Sequence, residues 1–287
     1  MIAVFKHEVS SYFSNLSGYV FGTFILLFAG VYTMAFNISG LSTYFEYVIG
    51  SMAFIFLIIV PVLTMRVIAE ERKQKTDQLL YSLPISMAKV VIGKYLALLV
   101  MFLVPTAIIS LYPLILNKFG VMHFPASYSA IVGFFLLGAT LISIGVFISS
   151  LTDNQAVAAG ICFVVMLLLY FVSSLADYMA ATARGSFIAF TIVILVIMVI
   201  VWFMTKSALT MFTIGLVLEA VLTGLFMTNG SKFEGLFPKI LDKISIFDRF
   251  YSFVDGVFDI TAVVYYVSII TVFLFLTVES LEKRRWS

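Results

Sequence analysis

The sequence predicts an all-α polytopic membrane protein with about six to eight transmembrane helices, an amphipathic helix at the N-terminus and both termini in the cytoplasm. Two observations predict this class. Of the 287 residues, 62% are hydrophobic and 11% are charged, whereas a soluble domain is roughly half apolar and about a quarter charged. The apolar residues also fall in runs close to the length of about 20 residues that a spanning helix needs.

Residues 1–17, MIAVFKHEVSSYFSNLS, predict a helix that lies in the membrane interface. Lys6, His7 and Glu8 interrupt the apolar stretch that a signal peptide needs, and no small-residue cleavage site follows. A frayed soluble terminus is the alternative, but apolar side chains recur at helical spacing along one face. These side chains are Ile2, Phe5, Val9, Tyr12, Phe13 and Leu16.

The candidate spans follow in order along the rest of the chain. They cover residues 18–36, 46–65, 90–116, 128–149, 156–175, 187–204, 209–227 and 260–278. The connection TKSA around Lys206 is short, so the two runs beside it are also compatible with a hairpin that does not fully cross. Because no repeat or soluble segment interrupts the pattern, residues 1–287 are treated as a single transmembrane domain. Small residues that would let helices approach closely are Gly133, Gly138, Gly145 and Gly160.

The distribution of Lys and Arg predicts the orientation. With the N-terminus in the cytoplasm, most of these residues lie on the cytoplasmic side, as the positive-inside rule requires. Residues 66–89 then form a cytoplasmic loop, and residues 229–259 form an extracytoplasmic segment. The latter mixes aromatic and charged residues and predicts one or two short interfacial helices broken around Pro238. An ordinary surface loop is the alternative.

Several classes of function are not supported by the residues. The net charge of +2 is too small to indicate a nucleic-acid partner. Cys162 is the single cysteine, and neither His7 nor His123 lies in a cluster with metal-ligand spacing. The nearest match to a phosphate-binding loop, AKVVIGKY, has Ala88 for its first glycine and Tyr95 for its hydroxyl residue. We therefore expect this chain to bind no metal and no cofactor, and to carry no catalytic residue.

The stretch RVIAEERKQKTDQLLYSLPIS, residues 66–86, concentrates charge between two apolar blocks. Glu71 and Lys75 have the spacing that stabilises a helix, and Pro84 is expected to end that helix one residue earlier. A short helix with one charged and one apolar face has a shape that docks in a groove on a partner. A solvated loop that only sets the topology is the alternative.

The same stretch resembles the cytoplasmic signature of type-2 ATP-binding-cassette (ABC) exporter permeases. In that signature an acidic pair, a threonine, a leucine pair, a proline and a Gly-Lys pair recur in order. The matching residues here are Glu70, Glu71, Thr76, Leu79, Leu80, Pro84, Gly93 and Lys94. The family often has glycine before the threonine, where this chain has Lys75. Residues 186–227 also add two apolar runs to the usual six-span pattern.

Two further segments carry the resemblance. The short polar link SSLTDNQAVAAG, residues 149–160, joins the fourth and fifth spans as it does in that family. The tail GVFDITAVVYYVSIITVFLFLTVESLEKRRW, residues 256–286, is similar to the last span of the gliding-motility-type permease subgroup. The matches are therefore distributed over most of the chain.

The resemblance implies that the charged loop is a coupling helix that docks on a separate ATPase subunit. The implied contacts are Glu70, Glu71, Arg72, Thr76, Leu79, Leu80 and Pro84, with Asp153 and Asn154 as a smaller second contact. It also implies a pair of permease subunits, identical or different, together with two ATPase subunits that carry ATP and magnesium. The chain would then be an export permease among the lipids of a bacterial or archaeal cytoplasmic membrane.

Glu219 is the one carboxylate near the middle of a candidate span. Because charge at that depth is costly, Glu219 is a candidate for the substrate pathway. The alternative function is a proton-coupled secondary transporter that uses Glu219 and needs no ATPase. The structural interpretation is a neutral carboxyl group hydrogen-bonded to Thr213, Thr223 or another helix. A membrane-embedded enzyme is a further rival, but it would need a cluster of polar residues inside the spans.

Overall fold

The structure is a computed structural model and describes residues 1–14, 16–76, 85–178, 182–205 and 207–286. Within these ranges the chain is largely helical and contains no strand, which confirms the all-α class. Seven helical segments there are long and apolar enough to cross a membrane. The chain is therefore an integral membrane protein. The seven segments are Gly18–Ser39, Glu46–Lys73, Met87–Leu116, Phe124–Leu151, Gln155–Val172, Met211–Phe233 and Ile260–Arg285.

The α-helices of the described residues are numbered in chain order. They are α1 (Ile2–Ser14), α2 (Leu16–Thr33), α3 (Glu46–Met52), α4 (Phe56–Thr64), α5 (Ala69–Lys73), α6 (Met87–Ile109), α7 (Tyr112–Leu116), α8 (Phe124–Leu151), α9 (Gln155–Tyr178), α10 (Ala183–Thr205), α11 (Ala208–Asn229), α12 (Leu236–Ile244), α13 (Ile246–Val254) and α14 (Ile260–Trp286). Met34–Ser39 continues α2 as a π-helical turn. Lys206, in the predicted hairpin connection, lies outside the described residues.

The second span is built from α3 and α4, which are joined by the 3-10 turn Ala53–Ile55. Pro61 lies inside α4 and has no N–H group to donate to the preceding turn. The amide of Met65 donates to the carbonyl of Pro61 at 3.0 Å, and this bond closes the last turn of the helix. The chain then turns into α5 at the end of the span.

One compact unit consists of Met1–Tyr170 and Ile246–Ser287. Its central helix is α8, which packs against α3, α4, α6, α13 and α14. Of the apolar window of α8, 78% is buried, against 17% for that of α14. Because α8 is surrounded, its apolar residues form the core, whereas α14 presents most of its surface to the outside of the unit.

Glycines allow helices to approach α8 closely. Gly138 faces the ring of Phe102, and Gly145 faces the side chain of Thr64, so neither position has room for a Cβ atom. Gly133 likewise faces Phe253, at 2.6 Å from an added Cβ. The expected close approach therefore occurs within one chain at these three glycines. Gly160 differs, because an added Cβ atom there meets nothing within 4 Å.

The second compact unit is Phe171–Ser245. Its helices α10 and α11 pack side by side, and α12 packs on α10. Phe190 makes edge contacts with the rings of Phe233 and Phe237 at 6.2 Å and 5.0 Å, respectively. The unit thus has an aromatic cluster of its own.

The predicted interfacial segment 229–259 contains two short helices, but their boundary was placed wrongly. Pro238 lies in the first turn of α12, where proline is tolerated because the first amides of a helix have no helical partner. The break falls instead at Ser245, between α12 and α13. The aromatic face of α13 enters the core of the first unit, with Phe247, Phe250 and Phe253 buried.

Candidate functional site

The charged loop begins with α5, and a residue from another helix supports its start. The amides of Ile68 and Ala69 both donate to the Oγ atom of Ser149, each at 3.2 Å. The first amides of a helix lack partners within the helix. Ser149 of α8 therefore serves as the cap of α5 and holds the loop on the central helix.

The end of α5 is a tight turn, and Lys75 is its critical residue. Lys75 has a φ angle of 57°, in the left-handed region that favours glycine. The amide of Thr76 donates to the carbonyl of Glu71 at 2.9 Å, and the amide of Lys75 donates to that of Arg72 at 3.0 Å. This pair of bonds is a Schellman motif. The turn thus forms although the chain has lysine where the related permeases often have glycine.

This turn also corrects the predicted extent of the helix. The helix that contains Glu70 and Glu71 ends at Lys73, because the left-handed residue Lys75 cannot continue it. Glu71 and Lys75 consequently do not form the predicted pair on one helical face. Leu79, Leu80 and Pro84 lie outside the described residues.

A buried lysine joins the charged loop to two other helices. The side chain of Lys94 in α6 is 2% exposed. Its Nζ atom lies 2.6 Å from Glu8 Oε1 and 2.6 Å from Glu71 Oε1, and it donates to the carbonyl of Val67 at 3.2 Å. An ammonium group has three protons to donate, and all three have an acceptor here. We refer to Glu8, Glu71 and Lys94 as the lysine cluster.

The glycine beside Lys94 serves the same contact. A Cβ atom at Gly93 would lie 3.2 Å from the carbonyl oxygen of Met1 and 3.3 Å from the side chain of Val4. Gly93 therefore lets α1 lie close to α6, so that Lys94 of α6 reaches Glu8 of α1. Gly93 thus allows α1 to pack on α6, and Lys94 joins α1 to the charged loop through Glu8 and Glu71.

Arg72 points into the chain. Its side chain is 3% exposed, and its guanidinium donates to the carbonyl of Ser150. The same group lies 3.7 Å from Asp153 Oδ1, in the link between α8 and α9. A direct contact between Arg72 and a second subunit would require this side chain to leave its place.

The C-terminal end of α14 joins the same link. Arg284 Nη1 lies 2.8 Å from Asp153 Oδ1, and Arg284 Nη2 donates to the carbonyl of Leu151 at 3.1 Å. Ser280 Oγ also donates to the carbonyl of Ser150 at 3.3 Å. Asp153 is 65% exposed, so these surface ion pairs contribute little to stability. They do place the link, α5 and the end of α14 together.

The charged loop and the polar link were predicted from the sequence as two separate contacts. In the structure they are neighbours. Around them lies a set of exposed polar side chains, which we call the charged face: Lys73, Gln74, Lys75, Thr76, Asp153 and Asn154. Glu70 is half-buried beside it and accepts a hydrogen bond from Gln74 at 3.3 Å. Sequence reasoning assigned no role in this site to Glu8, Ser149, Arg284 or Lys94 itself. Of these four residues, only Lys94 could have been noticed in the sequence, because it is a charged residue inside an apolar run.

Glu219 has a partner on a neighbouring helix. Thr191 Oγ1 in α10 donates to Glu219 Oε1 in α11 at 3.0 Å. Thr223, one of the possible partners of the carboxyl group, donates instead to the backbone carbonyl of Glu219 at 2.8 Å. The contact agrees with the structural interpretation of Glu219 as a helix-to-helix hydrogen bond. Glu219 belongs to the second compact unit, and the charged face belongs to the first.

One buried carboxylate was not singled out from the sequence. Glu46, at the first turn of α3, is buried and accepts a hydrogen bond from Ser127 Oγ at 3.3 Å. Glu46 stands at the start of an apolar run, where a charged residue is common, so its position in the sequence did not distinguish it. In the part of the chain that the structure describes, no three His, Cys, Asp or Glu side chains are grouped as metal ligands.

The class of protein follows from these features together with a family match. Residues 29–185 match the family described as ABC-2 family transporter protein, which is more than half of the 287 residues. The chain therefore belongs to this family and is a membrane permease component of an ABC transporter. The match includes every residue of the charged face. No curated protein matches the chain significantly.

Proposed function

We propose that this chain is the permease subunit of an ABC exporter and that its charged face receives a cytoplasmic ATPase subunit. One observation carries the proposal: the two segments expected to contact the ATPase form one exposed surface. That surface is fixed to the spanning helices by buried bonds through Lys94, Arg72 and Ser149. Membrane components of this family normally work with such a subunit.

The connections suggest how force would pass from the ATPase into the membrane. Glu71 is tied through Lys94 to α6, and the start of α5 is tied through Ser149 to α8. A displacement of α5 would therefore move α6 and α8 with it, since packed helices move as rigid bodies. The lysine cluster would carry α1 along through Glu8. ATP and magnesium would be held by the partner, and this chain would make and break no bonds.

The remaining features of the proposal rest on the resemblance. The assembly would contain a pair of permease subunits and a pair of ATPase subunits, with the pathway between the permeases. Both termini and the charged face would lie in the cytoplasm of a bacterium or archaeon. The tail supports the gliding-motility-type subgroup.

The test is copurification of the ATPase from native membranes in mild detergent, with variants that keep the fold. Lys73→Glu reverses an exposed charge on α5. Asn154→Asp changes the charge of the link and keeps a side-chain oxygen for its bond to the amide of Ala156, which is 2.9 Å long. We expect each variant to lose the ATPase subunit while the permease remains inserted. Lys118→Glu, beyond the other end of α6, is the matched control and should retain it.

Retention of the ATPase by both face variants would overturn the docking site. If wild type brings no ATPase under these conditions, the proposed coupling itself is wrong. Glu219 and a proton gradient would then be tested next.

A further inference from the structure

A groove of about 430 Å³ lies between α2 and the second span. α2 packs against α3 and α6, and the groove lies beside α4. Val20, Ile58 and Val62 are about half exposed along its opening, whereas Phe21, Ile59 and Leu63 are buried at its base. Phe24 and Met65 complete the apolar lining. The groove belongs to membrane-spanning segments, so its opening faces the bilayer or another apolar surface.

One end of the groove is polar. Tyr12 from α1 and Arg66, just beyond α4, line it there. Among the described residues, no carboxylate lies within 4 Å of the Arg66 guanidinium, and the Tyr12 hydroxyl makes no hydrogen bond. Burial raises the pKa of Tyr12, and nearby Glu8, Glu70 and Glu71 raise it further. The hydroxyl therefore stays protonated and can donate. Two donor groups thus converge at the end of an apolar groove.

The charges around this end suit a phosphate beside Arg66. Glu8 and Glu71 are already engaged by the buried ammonium of Lys94. Glu70 is one helical turn from Arg66 and is engaged by Gln74. Arg66 is the positive group that faces the groove. A guanidinium binds phosphate oxygens through paired hydrogen bonds, and its alkyl stem tolerates the apolar boundary.

We infer that the groove holds one phospholipid from the surrounding bilayer, with an acyl chain along Val20 and Val62 and its phosphate at Arg66 and Tyr12. The dimensions agree. Ile58 and Arg66 are separated by about 12 Å along the span at 1.5 Å per residue. One leaflet of the hydrocarbon core is about 15 Å thick. A lipid chain that begins at the Arg66 level therefore runs the length of the groove.

The groove lies where the N-terminal helix meets the span that leads to the charged face. It is formed jointly by α1, α2 and the second span, directly before α5. A lipid there would join the N-terminal helix to the span that leads into the charged face. This inference concerns the chain alone and does not depend on the proposed ATPase contact.

The test uses the full chain in phosphatidylcholine vesicles that carry a trace of phosphatidylglycerol with a photoactivatable acyl chain. Labelled peptides are located by mass spectrometry. We expect labelling to concentrate on α2 and α4, and diacylglycerol with the same acyl chain to label these helices much less. Arg66→Ala should reduce the labelling about tenfold, as expected for loss of a hydrogen bond to a charged group. Lys89→Ala, an exposed lysine at the start of α6, should not change it.

A second pair of variants tests the groove without changing charge. Val62→Trp fills the opening and should abolish labelling of α2. Val264→Trp, on a similarly exposed valine of α14, should leave it unchanged. Equal labelling of α14 and the groove, or no effect of Arg66→Ala, would overturn the proposal. Crosslinking of α2 to a second copy with the groove unlabelled would assign the groove to a dimer contact and overturn it too.

Discussion

Lys94 Nζ lies 2.6 Å from Glu71 Oε1, although the two residues are 23 positions apart in the sequence. The pair joins α5 to the buried side of α6, and Glu8 completes it from α1. Glu71 of the acidic pair and Lys94 of the Gly-Lys pair are therefore parts of one contact. A buried ammonium needs carboxylate partners to remain charged.

We predict that Lys94→Met destabilises the protein by about 3 kcal/mol. Removing one partner of a buried ion pair leaves the other charge without compensation. In Lys94→Met, the carboxylates of both Glu8 and Glu71 would lose their positive partner. The midpoint of thermal unfolding in detergent measures the effect. Lys89→Met removes an exposed lysine from the same helix and should change the midpoint little. Equal midpoints for the two variants would contradict the role of the cluster.

Arg72 and Lys73 are neighbours with different expected effects. Arg72→Ala removes a buried donor from the Ser150 carbonyl, so we expect a loss of about 1–3 kcal/mol in stability. Lys73→Ala removes an exposed side chain and should cost less than about 0.5 kcal/mol. Unfolding midpoints of both variants test this difference. An equal or larger loss for Lys73→Ala would contradict this predicted difference.

The left-handed turn at Lys75 predicts an unusual response to glycine. Lys75→Gly should stabilise the protein by up to about 1 kcal/mol, because glycine adopts a positive φ without the steric cost that other residues bear. Gln74→Gly is the matched control, since Gln74 has a right-handed conformation and gains no such relief. Hydrogen exchange at the Thr76 amide reports the turn directly. Faster exchange in Lys75→Gly would contradict the assignment.

The contact between Gly145 and Thr64 predicts a size limit on α8. Gly145→Ala should cost about 1–3 kcal/mol, because the added methyl group overpacks the core. Gly160→Ala places the same methyl group in open space and should be neutral or slightly stabilising. Thermal unfolding of the two variants provides the comparison. A neutral Gly145→Ala would mean that α4 and α8 are less closely packed.

Glu219→Gln separates the two interpretations of the intramembrane carboxyl group. The amide oxygen of glutamine can still accept the bond from Thr191, so folding and subunit assembly should be little affected. We expect the transport rate to change more than subunit assembly. The transport rate would be measured across a series of pH values. An unchanged rate and pH profile would return Glu219 to a structural role.

Seven of the eight candidate spans correspond to segments of the described residues that can cross a membrane, because length and apolar composition decide them. The candidate at residues 187–204 is not among these seven. The charged loop was predicted to exist, but its partners were not. The i, i+4 rule for helices paired Glu71 with Lys75. In the structure Glu71 instead pairs with the buried Lys94, which is more distant in the sequence. Burial makes a long-range ion pair outweigh an exposed local one, and one sequence does not show which side chains are buried. Because burial is not visible in one sequence, Arg72 was predicted as a surface contact, and the contact of Ser149 with α5 was not predicted.

The boundary errors have a similar physical origin. Pro238 has a strong local preference, but at the first turn of α12 that preference does not oppose the helix. Lys75 has no preference for a positive φ, so its turn became visible only through the bonds of Glu71 and Arg72. Gly145 and Gly160 are indistinguishable in sequence, and only packing shows which of them is needed.

The packing of α13 and α14 on the central helix α8 has a consequence for biosynthesis. α8 is synthesised before these two partners, because translation runs from the N-terminus and α9 to α12 lie between them in the chain. Newly inserted α8 must therefore wait in the lipid phase with one side uncovered until α13 and α14 have been made. A nascent chain stopped before Ile246 would be membrane-inserted yet incompletely assembled, which makes it a natural substrate for membrane quality-control proteases.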